Sequence, residues 1–276
     1  MSGPTQETRT ETNDSAPLQI QPQMAFASDR AGAGDIFVTT PVGELTNLTQ
    51  HPAGDWDPAW SPGCAEPNRN CRIAFTSHRS GDSEIWTMDA QGQNLRNVTQ
   101  HPAWDYWPAW SPDGQALVFV SERDGDPELF ISPVKTGQAA GDQETIQLTF
   151  NKDADRLPAW SPDGSRIAFA AVRNGVEAIH VINADGSHER PVTAWPLKGT
   201  APAWSPDGRR IAFVGWDEEN RPGIYIVGPD PETIQVLWEG TAWVGSLTWA
   251  PDTNPGNGDG WLLFTSWQDG NHEIYA

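Results

Sequence analysis

The side chains most suited to chemistry in this sequence are four serines that recur in one motif. Each follows a tryptophan and precedes a proline: Ser61, Ser111, Ser161 and Ser205. A nucleophilic serine of the hydrolase type sits on a Gly-x-Ser-x-Gly turn, and the sequence contains no such turn. In three copies the motif continues into Asp-Gly, where a serine typically satisfies backbone groups of a tight turn. We therefore assign no catalytic residue.

Two histidines and one oxygen-rich loop have the chemistry of metal ligands. His51 and His101 occupy the same position of a repeated Thr-Gln-His-Pro, which favours a structural role over a general base. The loop contains Asp252, Asn254, Asn257 and Asp259. It lacks the glycine at the sixth position and the glutamate at the twelfth that a calcium loop uses. We predict no metal and no cofactor, with calcium in this loop as the alternative.

The two cysteines, Cys64 and Cys71, bracket six residues within one predicted hairpin. Cysteines on adjacent antiparallel strands can reach the Cα separation of about 4.4–6.8 Å that a disulfide requires. We predict a disulfide here, which would imply an oxidising compartment. The alternatives are two free thiols or a metal site, although two thiolates are too few for structural zinc.

Arginines recur four residues after an apolar stretch that ends in phenylalanine, at Arg30, Arg79, Arg123 and Arg173. An acidic residue follows the first three of them by five positions, at Asp35, Glu84 and Glu128. This spacing predicts an ion pair across each hairpin, worth about 0–1 kcal/mol where exposed. The alternative is a charged rim that contacts a partner.

Composition and charge exclude several classes of protein. The 276 residues include 37 acidic and 17 basic side chains, a formal charge of −20. Nucleic-acid binding rests on neutralising phosphates with lysine and arginine, so we expect no nucleic-acid partner. No apolar run reaches 18 residues, so we expect no membrane span. The 15 Trp, 26 Gly and 24 Pro argue against a helix-rich protein.

A repeated unit must position these residues. Its recurring tryptophans, Trp60, Trp110, Trp160, Trp204 and Trp249, lie 50, 50, 44 and 45 residues apart. Removing a six-residue insertion from each long interval leaves a period of 44. Each unit has four short runs rich in Val, Ile, Phe, Trp and Thr, separated by Gly, Pro and Asp, which predicts four strands, A to D. We predict an all-β propeller of four-stranded antiparallel blades, with six blades favoured and its closure open. The recurring tryptophan is interpreted as a packing residue between blades, not as a ligand cage.

The repeat resembles a known family. Ala-Trp-Ser-Pro-Asp-Gly, then Ile-Ala-Phe, then Ser-x-Arg-x-Gly-x-x-Glu-Ile is similar to the WD40-like PD40 repeat of the TolB family of six-bladed propellers. The resemblance covers about residues 18–276, and Ala159–Gly164 matches the motif without a change. Related repeats also form the gate of prolyl-oligopeptidase-type peptidases, parts of tricorn-like proteases and surface domains of bacterial sensors. The resemblance thus implies a fold more specifically than a function.

The chain is predicted to have two parts. Residues 1–16 are rich in Thr, Glu and Ser, which predicts a disordered tail or linker, and residues 17–276 form a single propeller. The first unit lacks Pro-Ala-Trp and the last stops within strand C. Either Leu18–Gln21 completes the final blade or the chain is a fragment of a longer propeller. No signal peptide is visible, so export would require sequence outside this chain.

A candidate binding surface follows from strand direction. Because strands alternate, the D–A and B–C connections share one face of the propeller, and variable loops of a repeat scaffold commonly carry function. The predicted binding residues on that face are Asp55, Trp56, Asp57, Asp105, Tyr106, Trp107, Asp155, Arg156, Trp216, Trp243 and Trp267. Aromatic rings beside carboxylates suit protein hot spots or sugar stacking. The alternative is that the aspartates cap turns and the tryptophans cover blade edges.

We therefore predict a non-catalytic, extracytoplasmic scaffold that is periplasmic, on the cell surface or secreted. It is expected to be a monomer and to bind a protein or carbohydrate partner. The enzyme alternatives are a metal-dependent propeller lyase or hydrolase and the gate domain of a prolyl-oligopeptidase-like peptidase. A sensor or stalk module is a third hypothesis.

Overall fold

The computed structural model describes residues 24–39, 44–64, 71–134, 145–194, 196–229, 234–249, 262–267 and 273–276. Within these ranges, six antiparallel sheets are each made of strands that follow one another in the chain. Successive sheets pack against each other. The all-β prediction is confirmed: the fold is a six-bladed β-propeller with blades of three or four strands. The described part contains no helix long and apolar enough to cross a membrane.

Four blades have the predicted four strands, A to D. The second blade contains β4 (Asp55–Trp60), β5 (Arg72–Ser77), β6 (Glu84–Asp89) and β7 (Arg96–Asn97), and the third contains β8 (Asp105–Trp110), β9 (Ala116–Ser121), β10 (Glu128–Pro133) and β11 (Ile146–Gln147). The fourth contains β12 (Asp155–Trp160), β13 (Arg166–Arg173), β14 (Val176–Asn183) and β15 (Arg190–Pro191), and the fifth contains β16 (Lys198–Trp204), β17 (Ile211–Trp216), β18 (Pro222–Val227) and β19 (Gln235–Glu239).

The first and sixth blades have three described strands each. The first contains strands B, C and D as β1 (Ala25–Ser28), β2 (Asp35–Thr39) and β3 (Leu45–Asn47). The sixth contains strands A, B and C as β20 (Val244–Trp249), β21 (Leu262–Ser266) and β22 (Glu273–Tyr275). The predicted tail at residues 1–16 and the candidate closing strand Leu18–Gln21 lie outside the described residues.

Strand A begins earlier than the sequence analysis predicts. In the second blade it starts at Asp55, three residues before Pro58. A bulge makes this compatible with the proline: the register of β4 against β5 shifts between Trp56 and Ala59, and Asp57 has a φ of 52°. Proline is tolerated within sheets at bulges. Of the residues predicted to lie in D–A loops, those of the second, third and fourth blades therefore lie within strand A, whereas Trp243 directly precedes β20.

The core is divided among the interfaces between blades. Each of five clusters of buried apolar side chains joins two consecutive blades. The strand B phenylalanines Phe75, Phe119, Phe169 and Phe213 are fully buried. A blade therefore buries its faces only against its neighbours, as expected for a repeat architecture.

The recurring tryptophans pack between blades, as predicted. Three of them donate an indole Nε1–H bond to an alanine carbonyl in strand A of the preceding blade: Trp110 to Ala59 (3.0 Å), Trp204 to Ala159 (3.2 Å) and Trp249 to Ala203 (3.1 Å). Guanidinium groups cover these same rings, at 4.5 Å for Arg72 over Trp110. The Nε1 atoms of Trp60 and Trp160 are buried without a partner among the described residues.

The Ser-Pro-Asp-Gly segment forms the predicted A–B turn. Ser161 Oγ donates to Asp163 Oδ1 at 2.6 Å and accepts the Arg166 backbone N–H at 2.9 Å. The Ser161 hydroxyl, with the Ser165 N–H, lowers the pKa of Asp163 to about 2. Gly164 completes the turn with a φ of 71°, a conformation that favours glycine. The serine is therefore a turn residue.

Candidate binding surface

The D–A connections and the B–C turns meet at one end of the propeller, which we call the DA/BC end. Backbone hydrogen bonds join them within a blade, from His78 N–H to Gly54 O (3.1 Å) and from Glu122 N–H to Trp104 O (3.0 Å). Others join consecutive blades, such as Asp55 N–H to Gly34 O at 2.7 Å. The predicted binding residues therefore lie at one end of the propeller, in these connections or at the ends of the strands that they join.

Three of the four predicted aspartates, Asp55, Asp105 and Asp155, are fully buried and paired with arginines. Each begins a strand A and forms an ion pair with the arginine that follows strand B of the same blade: Asp55 with Arg79 (2.9 Å), Asp105 with Arg123 (3.1 Å) and Asp155 with Arg173 (2.6 Å). These carboxylates stabilise the blade and do not face solvent. The predicted pairing of Arg79 with Glu84 and of Arg123 with Glu128 is therefore wrong.

The same cradle of a serine hydroxyl and aromatic rings holds the guanidinium groups of Arg79 and Arg123. Arg79 Nε donates to Ser77 Oγ at 2.8 Å, and both Asp55 oxygens accept from Arg79 Nη2 at 2.9 Å. The guanidinium also lies over the rings of Phe75 and Trp86, at 5.2 and 5.0 Å from their centroids. Stacking and a serine hydroxyl thus fix the arginine before it meets its carboxylate.

The acidic residues that begin strand C bond to the next connection instead. Glu84 accepts from Thr99 Oγ1, and Glu128 accepts from the Asn151 side-chain amide at 3.1 Å. That amide also reaches Asp155 Oδ2 at 3.1 Å, so it bridges two carboxylates of adjacent blades. Burial raises the pKa of Glu84, and burial with the nearby Asp155 charge raises the pKa of Glu128 to about 8.

Large apolar side chains remain exposed at the same end. Their exposed fractions are 39% for Trp56, 59% for Trp104, 76% for Phe150, 49% for Trp243 and 49% for Trp267. The sequence analysis missed Trp104 and Phe150. The repeat contained a signal for both residues. Trp104 stands at the repeat position where the neighbouring blades have Gly54 and Ala154, and Phe150 stands where they have Gln50 and Gln100.

Two of these rings lie so close to glycine backbone that a side chain there would clash with them. A Cβ on Gly34 would lie 2.3 Å from a ring atom of Trp56, so that indole lies against the backbone of the preceding blade. A Cβ on Gly245 would lie 2.3 Å from the Trp243 ring. Trp267 is beside Trp243, since its N–H donates to the Trp243 carbonyl at 3.2 Å. The rings of Trp56 and Trp243 are therefore held against the backbone.

Three other predicted site residues are half-buried between blades. Tyr106 donates its hydroxyl to Glu122 Oε1 at 3.0 Å and contacts the Trp107 ring edge-on at 4.7 Å. Asp57 accepts from Thr76 Oγ1 at 2.9 Å, and burial raises its pKa. These side chains join blades as well as border the DA/BC end.

The last two predicted residues differ in their exposure. Trp216 is half-buried and packs with the cluster between the fifth and sixth blades. Arg156 is exposed and follows the buried Asp155 in strand A. Of these two residues, Arg156 is the one that is exposed to a partner.

The histidines predicted to be structural bond within their connections. His51 Nδ1 accepts from the Ala53 N–H and His101 Nδ1 accepts from the Ala103 N–H, each at 3.1 Å. Among the described residues, no three His, Cys, Asp or Glu side chains converge as metal ligands. The candidate calcium loop from Asp252 to Asp259 lies outside the described residues.

The predicted disulfide is not confirmed. Cys64 is a free thiol whose Sγ lies 3.3 Å from Ser61 Oγ, so it is not bonded to Cys71 in this structure. The six residues between the two cysteines lie outside the described ranges. The bond stays a prediction.

Comparison with known proteins agrees with this architecture. The PD40 family model, described as the TolB beta propeller domain, matches residues 58–142 and 157–276. No curated protein sequence matches the chain.

Solved structures share the fold at low sequence identity. TolB from Acinetobacter baumannii is similar with a TM-score of 0.71 and 20% identity over 93% of this chain, which spans 63% of that protein. An oligogalacturonate lyase in complex with manganese is similar with a TM-score of 0.60 and 17% sequence identity, over 91% of this chain and 73% of the lyase. A Mycobacterium tuberculosis puromycin-hydrolyzing peptidase is similar with a TM-score of 0.57 and 15% sequence identity, over 93% of this chain and 44% of the peptidase.

Proposed function

The chain belongs to the PD40 family of TolB β-propeller domains, and from this premise we propose that it is a non-catalytic, extracytoplasmic scaffold. It binds a protein or glycan partner through the DA/BC end. The observation that carries the proposal is the set of exposed aromatic rings at that end, among connections whose buried carboxylates are already paired.

Aromatic rings of this kind are suited to recognition. Tryptophan is enriched among the residues that dominate protein interfaces, because it buries a large area with little loss of conformational freedom. The same flat face stacks on sugar rings. Trp56 and Trp243 are held against glycine backbone, so a partner would meet rings already in place.

The exposed rings define a test. We expect the fourfold variant Trp56→Ala, Trp104→Ala, Trp243→Ala and Trp267→Ala to fold, because these side chains lie outside the buried clusters. Tyr106 and Trp107 are kept, since both pack between blades. Partners are identified with wild-type protein on a glycan array and in a cell-envelope protein extract, and affinity for the resulting hit is measured by calorimetry.

We expect the fourfold variant to bind the hit at least about 30-fold more weakly, the effect of losing one interface hot spot. The matched control replaces exposed apolar residues on outermost strands, Leu45→Ala, Val236→Ala and Leu237→Ala, and should bind as wild type does. Circular dichroism checks that both variants fold. Equal affinity of wild type and the fourfold variant would exclude this end as the binding surface.

A further inference from the structure

The B–C turns of the first five blades, residues 29–34, 78–83, 122–127, 174–175 and 217–221, carry an excess of acidic side chains. Two of their four arginines, Arg79 and Arg123, are held by the buried aspartates of strand A. A third, Arg221, pairs with acidic residues of its own turn. Eight acidic side chains in these turns are exposed or half-buried: Asp29, Asp82, Glu122, Asp124, Asp126, Asp217, Glu218 and Glu219. The turns therefore present more negative than positive charge to solvent.

The turn of the third blade is the most densely charged of these. It contains three carboxylates within five residues, at Glu122, Asp124 and Asp126. The arginine between the first two, Arg123, is directed to the buried Asp105, whose two carboxylate oxygens lie 3.2 and 3.1 Å from its Nη2. The positive charge of this turn is therefore used inside the blade.

Neutral hydrogen-bond donors hold two of these carboxylates in place. The Tyr106 hydroxyl donates to Glu122 Oε1 at 3.0 Å, and the Gln147 side-chain amide donates to Asp124. Burial, with the Glu122 hydrogen bond, raises the pKa of Tyr106, so the hydroxyl keeps its proton. Asp126 Oδ2 is buried without a partner among the described residues. Carboxylates that are already fixed lose little side-chain entropy when they bind a cation.

An exposed tryptophan lies beside these carboxylates. Trp104 is 59% exposed, and its carbonyl accepts the Glu122 N–H at 3.0 Å. The face of a tryptophan attracts lysine and arginine side chains. The chain uses this contact between its own blades, where the Arg72 guanidinium lies 4.5 Å from the centroid of the Trp110 ring. A basic side chain of a partner would therefore meet an aromatic ring and carboxylates at one place.

The charge near this turn favours a cationic partner over an anionic one. Arg156 of the fourth blade is an exposed cation whose charge acts on the Tyr106 hydroxyl, and it offsets one of the three carboxylates. An acidic sugar chain would be repelled here, and the formal charge of −20 adds to the repulsion. Complementary charge would instead speed the association of a basic protein.

We propose that the partner of the DA/BC end is a protein segment bearing lysine or arginine, and that it binds at the third blade over Trp104, Glu122 and Asp124. The inference rests on the proposed function, which leaves a protein and a glycan open, and it narrows the partner to a cationic protein. Because the carboxylates lie at the surface, binding weakens as the ionic strength rises.

A synthetic peptide of alternating lysine and serine, fluorescently labelled, is the probe, and a glutamate–serine peptide is its counterpart. Fluorescence anisotropy measures both affinities at low ionic strength and at about 0.15 M salt. We expect wild type to bind the lysine peptide and not the glutamate peptide. The double variant Glu122→Gln, Asp124→Asn should bind the lysine peptide about 10-fold more weakly, the effect of losing two exposed charge pairs. Glutamine and asparagine keep an oxygen to accept from Tyr106 and Gln147, so we expect this variant to fold.

The matched control, Glu218→Gln with Glu219→Gln, removes the same charge from the turn of the fifth blade and should bind as wild type does. Trp104→Ala should weaken binding of the lysine peptide about 3-fold, because the contact of a cation with the ring is lost. Circular dichroism checks that each variant folds. Equal binding of the two peptides to wild type would overturn the proposal. Equal weakening in both charge variants would also overturn it, because attraction to the net charge would then explain the binding.

The partner identified for the proposed function separates the two proposals. If the fourfold tryptophan variant loses that partner and the Glu122→Gln, Asp124→Asn variant keeps it, the DA/BC end binds a partner but the cationic segment is wrong. If both variants keep the partner, both proposals are wrong. Loss of the partner in both variants supports both.

Discussion

At the scale of single residues, the charged side chains of the DA/BC end mainly stabilise the propeller. Arg173 shows this most clearly, because it pairs with the buried Asp155 at 2.6 Å and with Glu189 at 2.7 Å. Glu189 in turn contacts His180 Nδ1 at 2.9 Å. A carboxylate buried without such a cation costs free energy in its charged form. Glu128 is such a carboxylate, since its described partners are the neutral Thr149 and Asn151 and the acidic Asp155.

Glu128 should make stability depend on pH. Its pKa is about 8 in the folded chain, above the ordinary value of 4.5. The folded state therefore binds the proton more tightly, so the stabilisation is complete below about pH 4.5 and is lost as the pH rises through about 8. We expect Glu128→Gln to lose less stability than wild type over that window, by up to a few kcal/mol.

Urea unfolding at several pH values between about 5 and 9 measures this effect. The exposed Glu218→Gln on the turn between β17 and β18 is the matched control and should follow the wild-type profile. Parallel profiles for wild type and Glu128→Gln would show that Glu128 is ionised over the whole range.

At the scale of elements, the bulge in strand A and the tryptophan that ends it set the contact between blades. The bulge repeats in the second to fifth blades, each with one residue of left-handed φ: Asp57, Trp107, Leu157 and Ala201. It accommodates the following proline, which has no N–H for the ladder. The strand then continues to a tryptophan that packs between blades.

The tryptophans at this position should differ in their contributions to stability. Trp110 donates to Ala59 O at 3.0 Å, whereas the Trp160 Nε1 is buried without a described partner. We expect Trp110→Phe to cost about 1 kcal/mol more unfolding free energy than Trp160→Phe, because only the first loses a hydrogen bond and leaves a carbonyl unsatisfied. Equal losses of unfolding free energy in chemical denaturation would mean that the buried area of the tryptophan, and not its hydrogen bond, determines its contribution to stability.

At the scale of the whole molecule, six blades present one end rich in exposed aromatic rings on a strongly acidic chain. A formal charge of −20 makes two copies repel each other. We therefore expect a monomer. Size-exclusion chromatography with light scattering should give the mass of one chain at low ionic strength and at 0.15 M salt, where screening is stronger. A mass that rises toward two chains with concentration would contradict this.

The sequence alone determined the repeated architecture. The 44-residue spacing of the tryptophans predicted the blades, Asp-Gly predicted their turns, and the packing role of the tryptophan followed from its recurrence. These features are local or periodic, so no three-dimensional information is needed to detect them.

Only the tertiary structure decided which residues of the DA/BC end are exposed. Asp55, Asp105 and Asp155 were predicted at the surface and are buried, because the bulge extends strand A through them and Arg79, Arg123 and Arg173 neutralise them. Trp104 and Phe150 are exposed, although their type suggests a core. Exposure and pairing depend on contacts between distant residues and between blades, and a spacing along one chain does not specify those contacts.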